Sequence, residues 1–271
     1  MIKSIRIIFL VSLIGLLIGC SPAQTKPPVK IIPSIHLSLG NPSQATTNIN
    51  NPDNYLMIKP QYVLSYNRSK GTANWVSWQL NKSWFGDAPR QDNFRPDNTL
   101  PEGWERIKPT AYNGSGYDRG HVTPSADRTR TIEDNTATFL MTNMMPQTPD
   151  NNRNTWGNLE DYSRELVAQG KELYIIAGPY GNKGKLKSLV TIPQSTWKIV
   201  VVLDNSGTGL KGITANTRVI AVNIPNNEQL DNNWQVYRTS VDNLEKMTGY
   251  DFMSNVSPNI QRVIESKVDN L

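Results

Sequence analysis

Cysteine and histidine are scarce in this chain of 271 residues, which has one cysteine and two histidines. The single cysteine, Cys20, excludes a disulfide bond within the chain. It also leaves no thiolate zinc ligand and no cysteine nucleophile in the rest of the sequence, where His36 and His121 are the two imidazoles. Chemistry that depends on thiols is therefore excluded beyond the N-terminal segment.

Long apolar runs are also rare, and the one that stands out lies at the N-terminus. Lys3 and Arg6 precede an apolar stretch over residues 7–18. This stretch is too short to span a bilayer comfortably and has the size of the hydrophobic region of a signal peptide. Residues 17–20 (Leu-Ile-Gly-Cys) resemble a bacterial lipobox, in which the cysteine becomes lipidated. We therefore predict a signal peptide over residues 1–20.

The predicted signal peptide indicates an exported protein that is periplasmic, membrane-anchored or extracellular. Its contact with the membrane is expected only through the lipid anchor or the signal peptide. The whole chain has 28 basic and 23 acidic residues and a net charge of +5. Removal of residues 1–19 leaves 26 basic residues against the same 23 acids. This small positive excess suits a polyanionic partner but does not identify one.

Composition divides the remaining chain into two parts. Residues 21–54 contain many Pro, Ser, Thr, Asn and Gln residues, which predicts a flexible tether with His36 as a bystander. Residues 55–271 have the composition of a globular protein and are predicted to form a single domain.

Apolar patterns in the predicted domain indicate both strands and helices. A hairpin is predicted from two β-rich segments that flank a Ser-Lys-Gly turn, at residues 62–66 and 75–80. Further strands are predicted at residues 138–144, 173–177, 197–203 and 218–222, and helices at residues 152–169, 241–247 and 258–267. Because strands and helices do not alternate regularly, we predict an α+β fold with a mainly antiparallel central sheet flanked by helices.

The surroundings of His121 are unusual. The segment Asp118-Arg119-Gly120-His121 combines an acid, a cation, a permissive backbone position and an imidazole. Hydrolysis of a phosphodiester requires a base that activates water and cations that neutralise the transition state. A neutral imidazole suits the role of the base. A surface turn with a chance histidine would show the same four residues, so this motif alone does not identify a site.

The helix predicted at residues 152–169 carries a polar stripe. Its members are spaced by four residues and therefore share one broad side of a helix: Asn152, Trp156, Glu160 and Arg164. Leu159, Tyr162 and Leu166 lie on another side and are expected to pack into the core. Any solvated amphipathic helix shows this arrangement, so the helix alone does not identify a site.

Three stretches together resemble the DNA/RNA non-specific endonuclease family, the ββα-metal nucleases, and within it the cyanobacterial members. They are Asp118–His121 (DRGH), Thr142–Gln147 (TNMMPQ) and Asn151–Glu160 (NNRNTWGNLE). The resemblance extends from about Asn54 to the C-terminus. It implies a ββα-metal nuclease core and a metal-dependent endonuclease, which the predicted signal peptide would export. Such an enzyme cuts DNA and RNA, single- or double-stranded, with little sequence or sugar specificity and leaves 5′-phosphate products.

The resemblance also implies roles for individual residues. His121 matches the general base, Asn152 the single protein ligand of a catalytic Mg²⁺ or Mn²⁺, and Glu160 a carboxylate that orients water on that metal. Three arginines match residues that contact or neutralise phosphate, namely Arg90, Arg119 and Arg164. Asn143 matches a polar residue near the site. Asp118 is expected to hold either the local turn or the imidazole. Some relatives also have a cognate protein inhibitor.

Two other functions remain open on the sequence. A phosphodiesterase of the same fold with a narrower substrate, such as single strands only, would carry the same motifs. A lipid-anchored protein that captures nucleic acid without cutting it would need the arginines but would have no use for His121, Asn152 and Glu160 together. A zinc protein is excluded because the domain offers one histidine and no cysteine.

Overall fold

The structure is a computed structural model that describes residues 34–271. The predicted signal peptide and lipobox at residues 1–20, and the first part of the predicted tether, lie outside the described residues. Eleven strands follow one another along the described chain: β1 (Tyr55–Ile58), β2 (Val63–Asn67), β3 (Thr72–Leu80), β4 (Asp118–His121), β5 (Met144–Gln147), β6 (Glu172–Tyr180), β7 (Lys185–Leu186), β8 (Val190–Thr191), β9 (Ser195–Leu203), β10 (Arg218–Pro225) and β11 (Arg238–Thr239).

A seven-stranded antiparallel sheet forms the centre of the domain, in the order β1-β2-β3-β6-β9-β10-β11. Its strands read as continuous apolar runs because both faces are covered. Along β9, for example, Val200 faces the core on one side of the sheet, the first core, and Ile199 and Val201 face the core on the other side, the second core. The alternation of side chains in a strand requires this. The predicted hairpin of β2 and β3 and the α+β fold are confirmed.

Four α-helices accompany the sheet: α1 (Ile132–Ala137), α2 (Trp156–Ala168), α3 (Val241–Thr248) and α4 (Pro258–Ile264). Helix α2 buries Leu159 and Leu166 in the first core, as predicted, whereas α3 and α4 bury Leu244 and Ile264 in the second. The two cores lie on opposite faces of the sheet. No helix formed by residues 34–271 is long and apolar enough to cross a membrane.

The strand predicted at residues 138–144 is wrong. Helix α1 precedes this segment, and the amide of Thr138 bonds back to the carbonyl of Asn135, which ends the helix in a turn. A short 3-10 helix follows at Met141–Asn143, and strand β5 begins only at Met144. The segment is apolar because Phe139 and Met141 are buried, at 0% and 2% exposed, so burial without extended backbone produced the misleading pattern.

The prediction of a flexible tether over residues 21–54 is also corrected for the part that the structure describes. Leu39 and Ala45 are buried in the second core, and Thr46 forms a bridge with Tyr55. His36 is 2% exposed; its Nε2 donates to the Pro60 carbonyl at 2.9 Å and its Nδ1 accepts from the Gln79 amide at 3.1 Å. The domain therefore includes residues 34–54, whose polar composition conceals a few well-placed buried side chains.

Candidate active site

The motif around His121 forms strand β4, which pairs with β5 in a separate antiparallel ribbon. In this ribbon Asp118 lies opposite Gln147, and His121 lies opposite Met144. A Cβ atom on Gly120 would collide with the side chain of Gln147. The motif therefore needs glycine at this position because a buried side chain occupies the space that any other residue would fill.

Arg119 and His121 share one face of β4, since alternate residues of a strand point the same way. Phe94 contacts both: the Arg119 guanidinium lies 4.3 Å from its ring centre, and its ring lies 5.5 Å from the imidazole. Phe139 packs edge-on against His121 at 4.8 Å. Two aromatic rings therefore fix the imidazole from the sides.

The imidazole of His121 is held in its neutral form. Burial lowers its pKa to about 3, and the positive charges of Arg90 and Arg119 add to the effect. Its Nε2 atom is buried and has no hydrogen-bond partner among residues 34–271. A neutral imidazole with an unshared nitrogen beside two arginines is equipped to accept a proton next to an anion.

Arg90 reaches this group from the long connection between β3 and β4. Its Nη1 donates to Ser125 Oγ at 2.7 Å, its Nε pairs with Asp92, and its guanidinium lies 5.0 Å from the Phe139 ring centre. Its side chain is 52% exposed, so part of the guanidinium faces solvent. Arg119 has no ion pair among the described residues and is the less neutralised of the two cations.

Asn143 is fully buried and supports the ribbon from behind. Its Nδ2 donates to the carbonyls of Thr123 and Thr138, and its Oδ1 accepts from the Thr123 amide, each at 2.9 Å. The Val122 amide bonds to the Asn143 carbonyl. Asn143 therefore fixes the chain that follows His121 and does not face an open site.

Asp118 holds neither the imidazole nor a turn. Its carboxylate accepts from Asn152 Nδ2 at 3.0 Å and from two nitrogens of Arg153 at 2.8 and 2.7 Å. Burial alone would raise the pKa of Asp118, but these hydrogen bonds outweigh it and keep the pKa below its usual value. Asp118 therefore ties Asn152 to the strand that carries His121.

The amide of Asn152 is oriented by this contact. Because a carboxylate can only accept hydrogen bonds, the Nδ2 of Asn152 faces Asp118 and the Oδ1 faces away. No hydrogen bond to this Oδ1 occurs within residues 34–271. A single free amide oxygen fits a hard cation such as Mg²⁺, which keeps most of its water and takes few protein ligands.

Glu160 lies in α2, in the turn that follows Trp156, and its partner is a buried lysine. Lys198 of β9 is 1% exposed, and its Nζ lies 3.5 Å from Glu160 Oε1 and 4.0 Å from the ring centre of Trp156. Burial raises the pKa of Glu160 to about 7, against the opposing charges of Lys198 and Arg164. Burial lowers the pKa of Lys198.

Arg164 is held by two carboxylates. Its Nη1 donates to Asp127 at 3.0 Å and its Nη2 to Asp161 at 2.5 Å. Asp127 also accepts from Trp78 Nε1 of β3 at 3.0 Å. Arg164 is therefore more firmly placed and more neutralised than Arg119, although its charge still acts on Glu160.

The sequence comparison agrees with this arrangement. A model of the DNA/RNA non-specific endonuclease family matches residues 39–259. The chain belongs to this family. A nuclease from Nostoc sp. is 71% identical over 264 residues, which are 96% of each chain. The mitochondrial nuclease EXOG of Xenopus laevis is 28% identical over an alignment of 204 positions, and the match covers 69% of this chain and 55% of that protein.

A solved structure has the same fold. It is the crystal structure of the EndoG/EndoGI complex, which describes the mechanism of EndoG inhibition. It matches this chain with a TM-score of 0.67. The match covers 84% of this chain and 94% of the other at 23% identity. At this identity the match shows the shared ββα-metal nuclease fold, and the family identifies the chain as a DNA/RNA non-specific nuclease.

In this nuclease, several residues beside the predicted site were not foreseen. They are Phe94, Ser125, Asp127, Phe139, Arg153 and Lys198. Lys198 had a visible signal, because a lysine in the apolar run Trp197–Leu203 must be buried if the strand is covered on both faces. The contacts of Asp127 and Ser125 join segments that are distant in sequence, and no local pattern indicates them.

Proposed function

We propose that this nuclease is a divalent-cation-dependent endonuclease that hydrolyses phosphodiester bonds of DNA and RNA with little sequence or sugar specificity. The observation that carries the proposal is the neutral, unshared imidazole of His121 between Arg90 and Arg119. In this proposal His121 is the general base. Three arginines contact or neutralise phosphate, namely Arg90, Arg119 and Arg164.

The cation, Mg²⁺ or Mn²⁺, would be held by the Oδ1 of Asn152 with water completing its coordination. When bound, it supplies positive charge to the phosphate and to the leaving oxygen. Glu160 is proposed to orient water near the cation in its ionised form. Lys198 and Arg164 favour that form because both lower the pKa of Glu160.

His121 is proposed to remove a proton from the attacking water. A pKa near 3 in the free protein makes a weak base, but two of its causes are the charges of Arg90 and Arg119. A bound phosphate would offset these charges, so the basicity of His121 would increase when substrate is present. The arginines contact a group that every nucleic acid presents, which provides affinity without sequence information.

The remaining features of the proposal follow from the sequence and the relatives. The 5′-phosphate products are those that the family resemblance implies. Export through residues 1–20, with or without lipidation of Cys20, is supported by the basic start and the apolar stretch of that segment. A protein inhibitor is a further proposed partner, because EndoG is inhibited by EndoGI in the solved complex of the same fold.

The test is cleavage of supercoiled plasmid, single-stranded DNA and RNA with Mg²⁺, with Mn²⁺ and with EDTA. We expect cleavage of all three substrates with the cations and none with EDTA. His121→Ala should reduce the rate by on the order of 10²–10⁴-fold while the variant still binds nucleic acid.

Three outcomes would contradict parts of the proposal. Near-normal cleavage by His121→Ala would remove the assigned base. Binding without cleavage by the wild-type protein would favour a capture protein. Cleavage confined to single strands would favour the narrower phosphodiesterase.

A further inference from the structure

Three carboxylates meet on the face of the sheet opposite α2. Asp242 and Glu245 belong to α3, and Glu265 directly follows α4. One carboxylate oxygen from each lies within 4.8 Å of one from each of the others. Helices α3 and α4 pack on the second core, whereas α2, which carries Glu160 and Arg164, packs on the first. This C-terminal acidic cluster is therefore separate from the candidate active site.

Glu265 is the buried member of the cluster. It is 6% exposed, and its Oε1 has no hydrogen-bond partner among residues 34–271. A buried carboxylate oxygen without a partner is unfavourable, and native structures rarely leave one unsatisfied. Glu265 also supplies one of the three clustered oxygens, so a cation held by its carboxylate would compensate this buried group.

No basic side chain of the described region forms an ion pair with Asp242, Glu245 or Glu265. Asp251 adds a fourth negative charge nearby. Burial raises the pKa of Glu265 to about 7, and Glu245, Asp251 and Asp242 add to the effect. Three carboxylates this close repel one another, and either a shared proton or a bound cation would relieve that repulsion.

The contacts of the cluster leave oxygens available for a cation. Glu245 Oε1 accepts from the Phe252 amide at 3.0 Å, which fixes the side chain and leaves the second oxygen. The Asp242 amide bonds to the Glu265 carbonyl at 3.1 Å, so the backbone holds the start of α3 against the end of α4. The cluster is thus built by two packed elements and not by free surface side chains.

We propose that Asp242, Glu245 and Glu265 form a second cation site that binds Ca²⁺ and is independent of the active site. Ca²⁺ takes oxygen ligands at about 2.3–2.6 Å, so opposite ligands lie about 5 Å apart. Three oxygens that all lie within 4.8 Å of one another are close enough to share one such ion. Mg²⁺ gives up its water reluctantly and demands near-ideal octahedral geometry, so a site made of three protein carboxylates suits Ca²⁺ better.

The consequence of binding is stability. The cation neutralises the repulsion, provides a partner for the buried Glu265 oxygen and links α3 to the segment after α4. Because a ligand that binds only the folded state stabilises it, Ca²⁺ should raise the melting temperature of the protein.

The experiment measures thermal unfolding of the full-length protein, freed of metal by EDTA and dialysis, with and without CaCl₂. Calcium at a hundredfold excess over its Kd should raise the melting temperature by about 5–10 °C, and MgCl₂ should have a smaller effect. Glu265→Gln should abolish the calcium effect without lowering the melting temperature of the metal-free protein, since it removes repulsion. Glu102→Gln, at an exposed position, is the matched control and should keep the effect.

Asn152→Ala separates this site from the candidate active site. The calcium effect should persist in Asn152→Ala, and titration calorimetry of this variant should still detect one calcium ion per chain. Asp242→Asn provides a second variant if Glu265→Gln does not fold. The proposal is overturned if calcium leaves the wild-type melting temperature unchanged, which would mean that the carboxyls share a proton. It is equally overturned if Asn152→Ala loses the effect while Glu265→Gln retains it.

Discussion

At the scale of single residues, Lys198 and Glu160 form a buried pair in which each side chain affects the pKa of the other. Breaking a buried pair leaves the remaining charge uncompensated, which costs about 3–5 kcal/mol. Lys198 is almost completely buried and lies 3.5 Å from Glu160, so its contribution to activity would be indirect. In the proposed function Lys198 is a positioning residue that keeps Glu160 ionised.

Lys198→Met should shift the pH dependence of cleavage. Wild-type activity should rise with pH through about 7, where Glu160 loses its proton. Without Lys198 the pKa of Glu160 rises further, so the same rise should occur about one pH unit higher. At neutral pH the rate should fall on the order of tenfold, as measured by initial rates of plasmid cleavage between pH 5.5 and 9.

Lys171→Met is the matched control, since Lys171 pairs with the exposed Asp204 at 2.7 Å. Its pH profile should equal that of the wild type, and Lys198→Arg should restore part of the wild-type profile. A uniform loss of rate at every pH in Lys198→Met would indicate a structural role only.

The sequence predicts the residues of the candidate site better than it predicts their supports. His121, Asn152 and Glu160 lie in short motifs whose residue types match the expected chemistry. The Asp118–Asn152 contact joins residues that are 34 positions apart, and the Arg164–Asp127 contact spans 37. Such contacts depend on the path of the chain through the fold, which local patterns do not contain.

At the scale of elements, the start of α2 explains why the predicted stripe is only partly correct. A π-helical turn at Asn151–Thr155 precedes the helix, and the Trp156 amide bonds to the Asn151 carbonyl. The wider turn changes the angle between Asn152 and Trp156 that regular α-helical spacing predicts. Asn152 therefore reaches Asp118, while Trp156 is 1% exposed and belongs to the core.

Residues 34–54 are held to the rest of the domain partly through a neutral His36. We therefore expect their attachment to weaken at acidic pH. Burial lowers the pKa of His36 to about 4, with a further contribution from Arg128 and an opposing one from the Pro60 carbonyl. Between pH 6.5 and 4 the unfolded state therefore binds more protons, and the free energy of unfolding falls as the pH falls. The loss should approach about 3 kcal/mol near pH 4.

Urea unfolding at several pH values between 7.5 and 4.5 measures this effect. His36→Gln should be less stable at pH 7.5, because it loses the hydrogen bonds of the imidazole to Pro60 and Gln79. Its stability should depend less on pH. The difference between the two curves isolates His36 from other titrating groups such as Glu160 and Glu265. His121→Ala should retain the part of the slope that belongs to His36. Parallel curves for the wild type and His36→Gln would contradict the assignment.

At the scale of the whole molecule, one sheet separates two regions with different tasks. The first core supports α2 and the ribbon of β4 and β5, through Trp156, Val122 and Met145. Residues 34–54, α3 and α4 all pack against the second core. The apolar runs of its strands indicated this sheet from the sequence, but they did not reveal that residues 34–54 complete its second face.

The net charge of +5 is small, so we expect nucleic-acid binding to depend on a few local arginines. If Arg90, Arg119 and Arg164 each contact one phosphate, the logarithm of the binding constant should fall with the logarithm of salt concentration. The slope should be roughly −3 for duplex DNA and roughly −2 for single-stranded RNA. Binding is measured by fluorescence anisotropy in EDTA, which prevents cleavage.

Arg119→Ala should reduce the magnitude of the duplex slope by about 1, because Arg119 has no ion pair within residues 34–271 to release. Lys211→Ala, an exposed lysine between β9 and β10, is the control and should leave the slope unchanged. The weakening in Arg119→Ala should be equal for unrelated duplex sequences, since phosphate contacts carry no sequence information. A variant that loses affinity for one sequence but keeps the wild-type slope would show that Arg119 reads bases and does not contact phosphate.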